Sequence, residues 1–222
     1  MLPDLPTTEA AIVEITNAFR KDSALQQVKQ NPALTAAARA FAEYLARTET
    51  FAHDADGRNP AERAKAQGYS YCLVAENLAM NLDSRGFESR QLAREVVEGW
   101  KESPGHRKNL LLAEATDIGV AVVRAEHKHP KFLSVQLFGR PASLKVTFSI
   151  ENRSGRAVHY TLGAEADRLA PREIVTYGAC SPRPLSLERP GEAPARFDPG
   201  NGDRFIVRAQ TGGAIRVDVE RK

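Results

Sequence analysis

Trp100-Lys101-Glu102-Ser103-Pro104-Gly105-His106-Arg107-Lys108-Asn109-Leu110-Leu111 is the stretch on which the reading of this chain turns. Its first residues close a helix. Leu92, Val96 and Trp100 form one apolar stripe, and the spacing predicts that helix from about Glu88 to Glu102. Ser103-Pro104 then reads as the start of a second, short helix: a serine at the cap and a proline in the first turn. His106 follows in a setting that is neither a plain helix face nor a plain strand face.

Upstream the periodicity is helical. Ile12, Ile15 and Phe19 recur at helical spacing after Thr7-Thr8. Leu34, Ala37, Ala38, Phe41 and Leu45 follow the same period after Asn31-Pro32. Asn59-Pro60 repeats that device before a short helix that Gly68 should stop. Downstream the period changes to two. Ile118 to Arg124 and Phe132 to Phe138 predict a hairpin around the polar stretch Ala125 to Lys131. Helices followed by an antiparallel sheet predict an α+β layered domain.

Composition changes near Arg140-Pro141. The chain has 222 residues, 42% hydrophobic and 27% charged, which supports a packed core and excludes disorder as the main state. The net charge of +3 is unevenly placed: 18 Lys and Arg balance 18 Asp and Glu in residues 1–140, and 13 stand against 10 in residues 141–222. The second stretch also holds 8 of the 15 Gly and 7 of the 13 Pro. Alternation at Leu144, Val146, Phe148 and Ile150, at Val158, Tyr160 and Leu162, at Phe205 and Val207, and at Ile215, Val217 and Val219 predicts a small β-sandwich. The expected domains are therefore 1–140 and 141–222.

No nucleophile elbow, P-loop or dinucleotide fingerprint is present. No basic run with interleaved aromatics points to nucleic acid, and no apolar run is long enough to predict a transmembrane segment. Three residues stand out. His53 lies in a predicted loop between Phe51-Ala52 and Asp54-Ala55-Asp56-Gly57. Glu76 is an acid inside the apolar run Val74 to Ala79. His106 completes the set. A buried acid needs a partner, and imidazoles are suitable ones. Glu76 is the candidate base. Ser103, Asn77 and Tyr69 are weaker site candidates, and Ser103 is expected first of all to cap its helix. His127-Lys128-His129 reads as a solvated hairpin tip, and Glu98 and Glu102 read as solvated helix acids.

The local words, taken in order, resemble one family. They are Ile15-x-Asn17-x-x-Arg20, Asn31-Pro32-x-Leu34, Phe51-Ala52-His53, Gly68-Tyr69, Glu76-Asn77-Leu78-Ala79, Val97-x-x-Trp100-x-x-Ser103-Pro104-Gly105-His106-Arg107-x-Asn109-Leu110-Leu111, Ile118-Gly119-Val120 and Gln136-x-Phe138-Gly139. Together they resemble the CAP superfamily (SCP domain): cysteine-rich secretory, venom allergen and plant pathogenesis-related proteins. The match is closest to the bacterial branch, over about residues 9–140. Residues 141–222 carry no such resemblance.

The resemblance implies a CAP-like α-β-α sandwich with an open cleft. It also implies that His53, Glu76 and His106 face that cleft and can hold a divalent metal, commonly zinc. Zinc suits such ligands, and an open coordination position activates water. A second family Glu falls at Ser103 here, and the eukaryotic disulfide pattern is absent. The leading expectation is an extracytoplasmic binding module. Its ligand would be a small molecule, lipid, peptide or glycan, with or without metal, and the β domain would meet a cell wall or protein partner. A metal-dependent hydrolase and a structural or adhesion protein are the alternatives. Residues Met1 to Asp4 show no export signal, so the expectation is a secreted protein whose signal was removed. A Cys72–Cys180 bond would tether the two domains, but two separate thiols are the expected state.

Overall fold

The computed structural model describes residues 1–181 and 183–221. Contacts divide the chain into two compact units, Met1–Ser143 and Leu144–Lys222.

The first unit is built from five helices and four strands. Helix α1 (Leu5–Asp22) begins before Thr7, because the Asp4 side chain caps it by accepting from the Thr7 N–H at 2.9 Å. Strand β1 (Lys29–Gln30) follows, then α2 (Pro32–Thr48), capped by Asn31, and α3 (Pro60–Ala66), which opens on a full capping box between Asn59 and Glu62. Gly68, just past α3, takes φ +85°, as a helix-stopping glycine does. Strand β2 (Tyr71–Leu82) comes next, then α4 (Ser89–Glu102), α5 (Pro104–Leu110), β3 (Asp117–Ala125) and β4 (Lys131–Pro141).

The sheet order is β1-β3-β4-β2. The expected hairpin is β3 and β4, antiparallel with Ile118 opposite Phe138. The two-residue β1 joins in parallel, a departure from the wholly antiparallel sheet. One face buries Ile118, Val120, Val122, Phe132 and Phe138 against residues of α1, α4 and α5. The alternate residues Ala121, Val123, Leu133, Val135 and Leu137 pack against α2 and α3. Period-two alternation thus supplies a core on each side, giving an α-β-α sandwich. Gly119 lets α2 lie close on β3: a Cβ there would collide with the Leu34 and Thr35 backbone.

Among the described residues the second unit has two four-stranded sheets. One has the order β10-β9-β6-β7 and the other β12-β11-β5-β8. In chain order the strands are β5 (Val146–Arg153), β6 (Val158–Leu162), β7 (Glu165–Leu169), β8 (Ile174–Ala179), β9 (Leu185–Arg189), β10 (Glu192–Phe197), β11 (Arg204–Ala209) and β12 (Ile215–Glu220). Tyr160, Leu162, Leu185 and Leu187 of the first sheet share a core with Phe148, Ile150, Phe205 and Val207 of the second. This is a β-sandwich. Leu144, read as the first residue of a strand, instead lies in a 3-10 turn, Ala142–Leu144, and is exposed.

No cysteine is a free thiol among the described residues; Cys72 and Cys180 are each disulfide-bonded. This corrects the expectation of two separate thiols. Bonding is decided by the approach of Cα atoms, which spacing along the chain does not carry. No helix among the described residues is long and apolar enough to cross a membrane.

Candidate functional site

The outer strand β2 organises the site. Because side chains alternate across a strand, Glu76 and Asn77 point to opposite faces. Glu76 pairs in register with Leu137, on the side covered by α2 and α3. Asn77 pairs with Gln136, on the side of α1, α4 and α5.

On the first side, Arg63 of α3 reaches Glu76. One terminal nitrogen donates to both carboxylate oxygens, at 3.0 and 2.9 Å, and to the His53 carbonyl at 2.9 Å. The other donates to Asp56 at 2.8 Å and to the Arg58 carbonyl at 2.7 Å. The guanidinium lies over the Phe41 ring, 3.5 Å from its centroid. The Arg63 and Glu76 side chains are 5% and 1% exposed, so this is a buried ion pair. The same bonds fix the loop that carries His53, which Tyr44 also pins through the Ala55 carbonyl at 3.1 Å.

His53 Nδ1 donates to Glu76 Oε1 at 2.8 Å, and the ring remains half exposed. Glu76 therefore selects the tautomer and leaves Nε2 outward.

On the second side a chain of amides positions His106. Gln136 donates to Thr16 at 3.0 Å, Asn77 to Gln136 at 3.0 Å, and Asn109 to the Asn77 side-chain oxygen at 2.9 Å. Asn77 also donates to the His106 carbonyl at 3.3 Å, and Asn109 to the Glu76 carbonyl at 2.9 Å. The indole N–H of Trp100 donates to the Leu78 carbonyl at 2.9 Å. Two carbonyls of the outer strand are thereby taken by side chains.

The two histidines approach each other, His53 from the loop before α3 and His106 from α5. Their ring centroids are 6.4 Å apart. The hydrogen bond to Glu76 pushes the His53 pKa up, against its partial burial. Burial, and then the charge of His53, push the His106 pKa down. His53 is thus the stronger base. Its raised pKa stabilises the fold below the ordinary His value, and that contribution fades as pH rises through the folded pKa. The lowered pKa of His106 does the reverse: its contribution is present above the ordinary value and lost as pH falls. The two oppose each other in overall stability, so the readout must be residue by residue. An NMR titration of the imidazole C–H signals is expected to show His53 protonating at higher pH than His106. The opposite order would refute this electrostatic picture.

The structure brings His53, Glu76 and His106 together and makes Asn77 a support. Tyr69 and Ser103 are placed otherwise. Tyr69 is buried, and its hydroxyl donates to Asp117 at 2.8 Å, with burial pushing the phenol pKa far up. Ser103 occupies the cap position of α5 and its carbonyl accepts from the Arg107 N–H, but its side chain makes no capping bond. Nor is its hydroxyl bonded to either imidazole among the described residues. Glu98 and Glu102 are exposed, and Glu98 pairs with Lys101. His127 sits exposed and His129 half-buried at the hairpin tip.

Arg63, Asp56 and Asn109 escaped the sequence reading as functional positions. An arginine in the middle of the seven-residue α3, beside the buried Ala64, was the available signal for the first.

The donor set does not fit a zinc centre as it stands. Glu76 already accepts three hydrogen bonds from Arg63 and His53, and an ion beside it would face a fixed guanidinium. Like charges 4 Å apart repel by about 4 kcal/mol at an effective dielectric of 20. Among the described residues no group of three or more His, Cys, Asp or Glu is placed to hold a metal.

The profile of the cysteine-rich secretory protein family, CAP, matches residues 13–138. The uncharacterized protein YkwD of Bacillus subtilis is 32% identical over 118 residues. That alignment covers 53% of this chain and 43% of the relative, so less than half of the relative's length is spanned. Among solved structures, an outer surface protein of Borrelia burgdorferi is similar with a TM-score of 0.52 at 23% identity, over 60% of this chain and 92% of that one. An extracellular SCP-domain protein of Bacillus anthracis has a TM-score of 0.50 at 23% identity, over 61% of this chain and 41% of that one. These two likenesses show the fold.

Proposed function

The chain belongs to the cysteine-rich secretory protein (CAP) family, and from that premise we propose that its first unit is an extracytoplasmic binding module for a small polar ligand, a peptide or a glycan. One observation carries the reading. The His106 ring is half-buried, yet none of its nitrogens is hydrogen-bonded among the described residues, while the Glu76 carboxylate accepts from both His53 and Arg63. A desolvated, unpartnered imidazole held rigidly beside a second one suits a ligand hydroxyl or amide.

Two adjacent imidazoles favour such groups over a lipid chain. No hydroxyl or thiol among the described residues is bonded to either imidazole, so the geometry supports binding better than hydrolysis. Bonded rather than free cysteines, and the extracellular description of the Bacillus anthracis protein, support the compartment. The β-sandwich unit, with its excess of arginine, serves contact with a cell wall or a protein partner.

Chitooligosaccharides and short peptides titrated into the protein are expected to move the His53 and His106 NMR signals. His106→Phe should weaken that binding at least about tenfold, which is 1.4 kcal/mol, without loss of fold. Unchanged affinity in His106→Phe would sink the proposal. So would turnover of these compounds by wild type and not by the variant.

A further inference from the structure

We infer that Arg63 stands where a divalent ion would otherwise be recruited, so that the His53–Glu76–His106 cluster works without metal. The inference rests on how Glu76 is used and holds whichever polar ligand the two imidazoles take.

A metal ligand needs a free lone pair in an accessible direction. Glu76 has neither. Its Oε1 accepts from His53 and Arg63, its Oε2 accepts from Arg63, and the carboxylate is 1% exposed. The obstructing cation cannot step aside by losing a proton, because a guanidinium stays charged at all ordinary pH. Nor is it free to swing away. Both of its terminal nitrogens are hydrogen-bonded, to Glu76, Asp56 and two loop carbonyls, and its face is stacked on Phe41. At 5% exposure its field is poorly screened.

What remains for an ion is Nε2 of His53 and the ring of His106. That is two donors where zinc sites use three or four protein ligands. The positive charge that a metal would bring to Glu76 is already there, permanently, from α3. Removing it should therefore create a metal site. In Arg63→Gln, Glu76 is a buried carboxylate without its counter-charge, next to two imidazoles, and a divalent cation is the partner such a cluster lacks.

The test is zinc alone, added to the full chain and followed by calorimetry and by melting temperature. Wild type is expected to show no binding at zinc up to about 0.1 mM and no melting shift, since only ions bound to the native state stabilise it. Arg63→Gln is expected to melt lower than wild type without zinc and to recover with it. Its zinc affinity should exceed that of wild type by at least about tenfold, and Arg63→Gln/His53→Ala should lose the gain. If Arg63→Gln is unfolded without metal, recovery of its helical circular dichroism on adding zinc is the readout. Micromolar zinc binding by wild type that His53→Ala abolishes would overturn the inference. A folded Arg63→Gln that gains no affinity, or an unfolded one that zinc does not restore, would overturn it equally.

Discussion

Glu76→Gln is expected to lower the stability of the first unit by about 3–5 kcal/mol, the cost of breaking a buried ion pair by removing one member. The substitution keeps the size of the side chain and removes only its charge. Arg63 then retains Asp56 but loses the carboxylate that took two of its hydrogen bonds. Trp100 is the single tryptophan and is buried in this unit, so its fluorescence during urea unfolding reports on the unit directly. The double variant Arg63→Met/Glu76→Leu should recover most of the loss, because removing both charges removes the desolvation cost along with the attraction. A loss under about 1 kcal/mol in Glu76→Gln would mean that the pair is far better solvated than its burial indicates.

Arg20→Met should be as severe, at about 3–5 kcal/mol. Arg20 is fully buried, and among the described residues no carboxylate pairs with it. It donates instead to the carbonyls of Gln26 at 3.0 Å, Leu110 at 2.8 Å, Leu112 at 2.9 Å and Ala115 at 3.4 Å. Leu110 is the last residue of α5, so the guanidinium meets the negative end of that helix and closes the loop after it. Burial pushes the Arg20 pKa down, yet an arginine has range to spare and stays charged. Methionine fills the space and leaves the carbonyls unpaired. Arg20→Lys should rescue little, since one ammonium cannot span carbonyls set this far apart. Hydrogen exchange should quicken across α5, and His106 with it. An Arg20→Lys protein with wild-type unfolding would contradict this account.

Legibility in the sequence follows the strength of the local pattern. Asn31-Pro32 and Asn59-Pro60 announce α2 and α3 because capping is chemistry among neighbours. Strand β2 is not visible as a strand. Its alternation is broken by Asn81 and by Glu76 and Asn77, the last two of which the fold keeps for the site and its support. In the second unit β7 and β10 are equally silent. Both lie at a sheet edge, and neither needs a continuous apolar face. The triad of His53, Glu76 and His106 can be named as a set from the sequence, but the reason it holds together cannot. Arg63 is 13 residues from Glu76, and nothing in the spacing links them. Ser103 and Tyr69 are drawn in by position along the chain, whereas their side chains lead elsewhere.

The side chains that occupy the Glu76 and Leu78 carbonyls have a consequence for recognition. An outer strand ordinarily offers its backbone to any extended segment that comes alongside, whether a ligand or another copy of the protein. On β2 those positions already accept from Asn109 and Trp100. An arriving peptide cannot be added as one more strand there. It must be read by its side chains and termini, one functional group at a time, and the same closure protects the protein from edge-to-edge aggregation beside the proposed site.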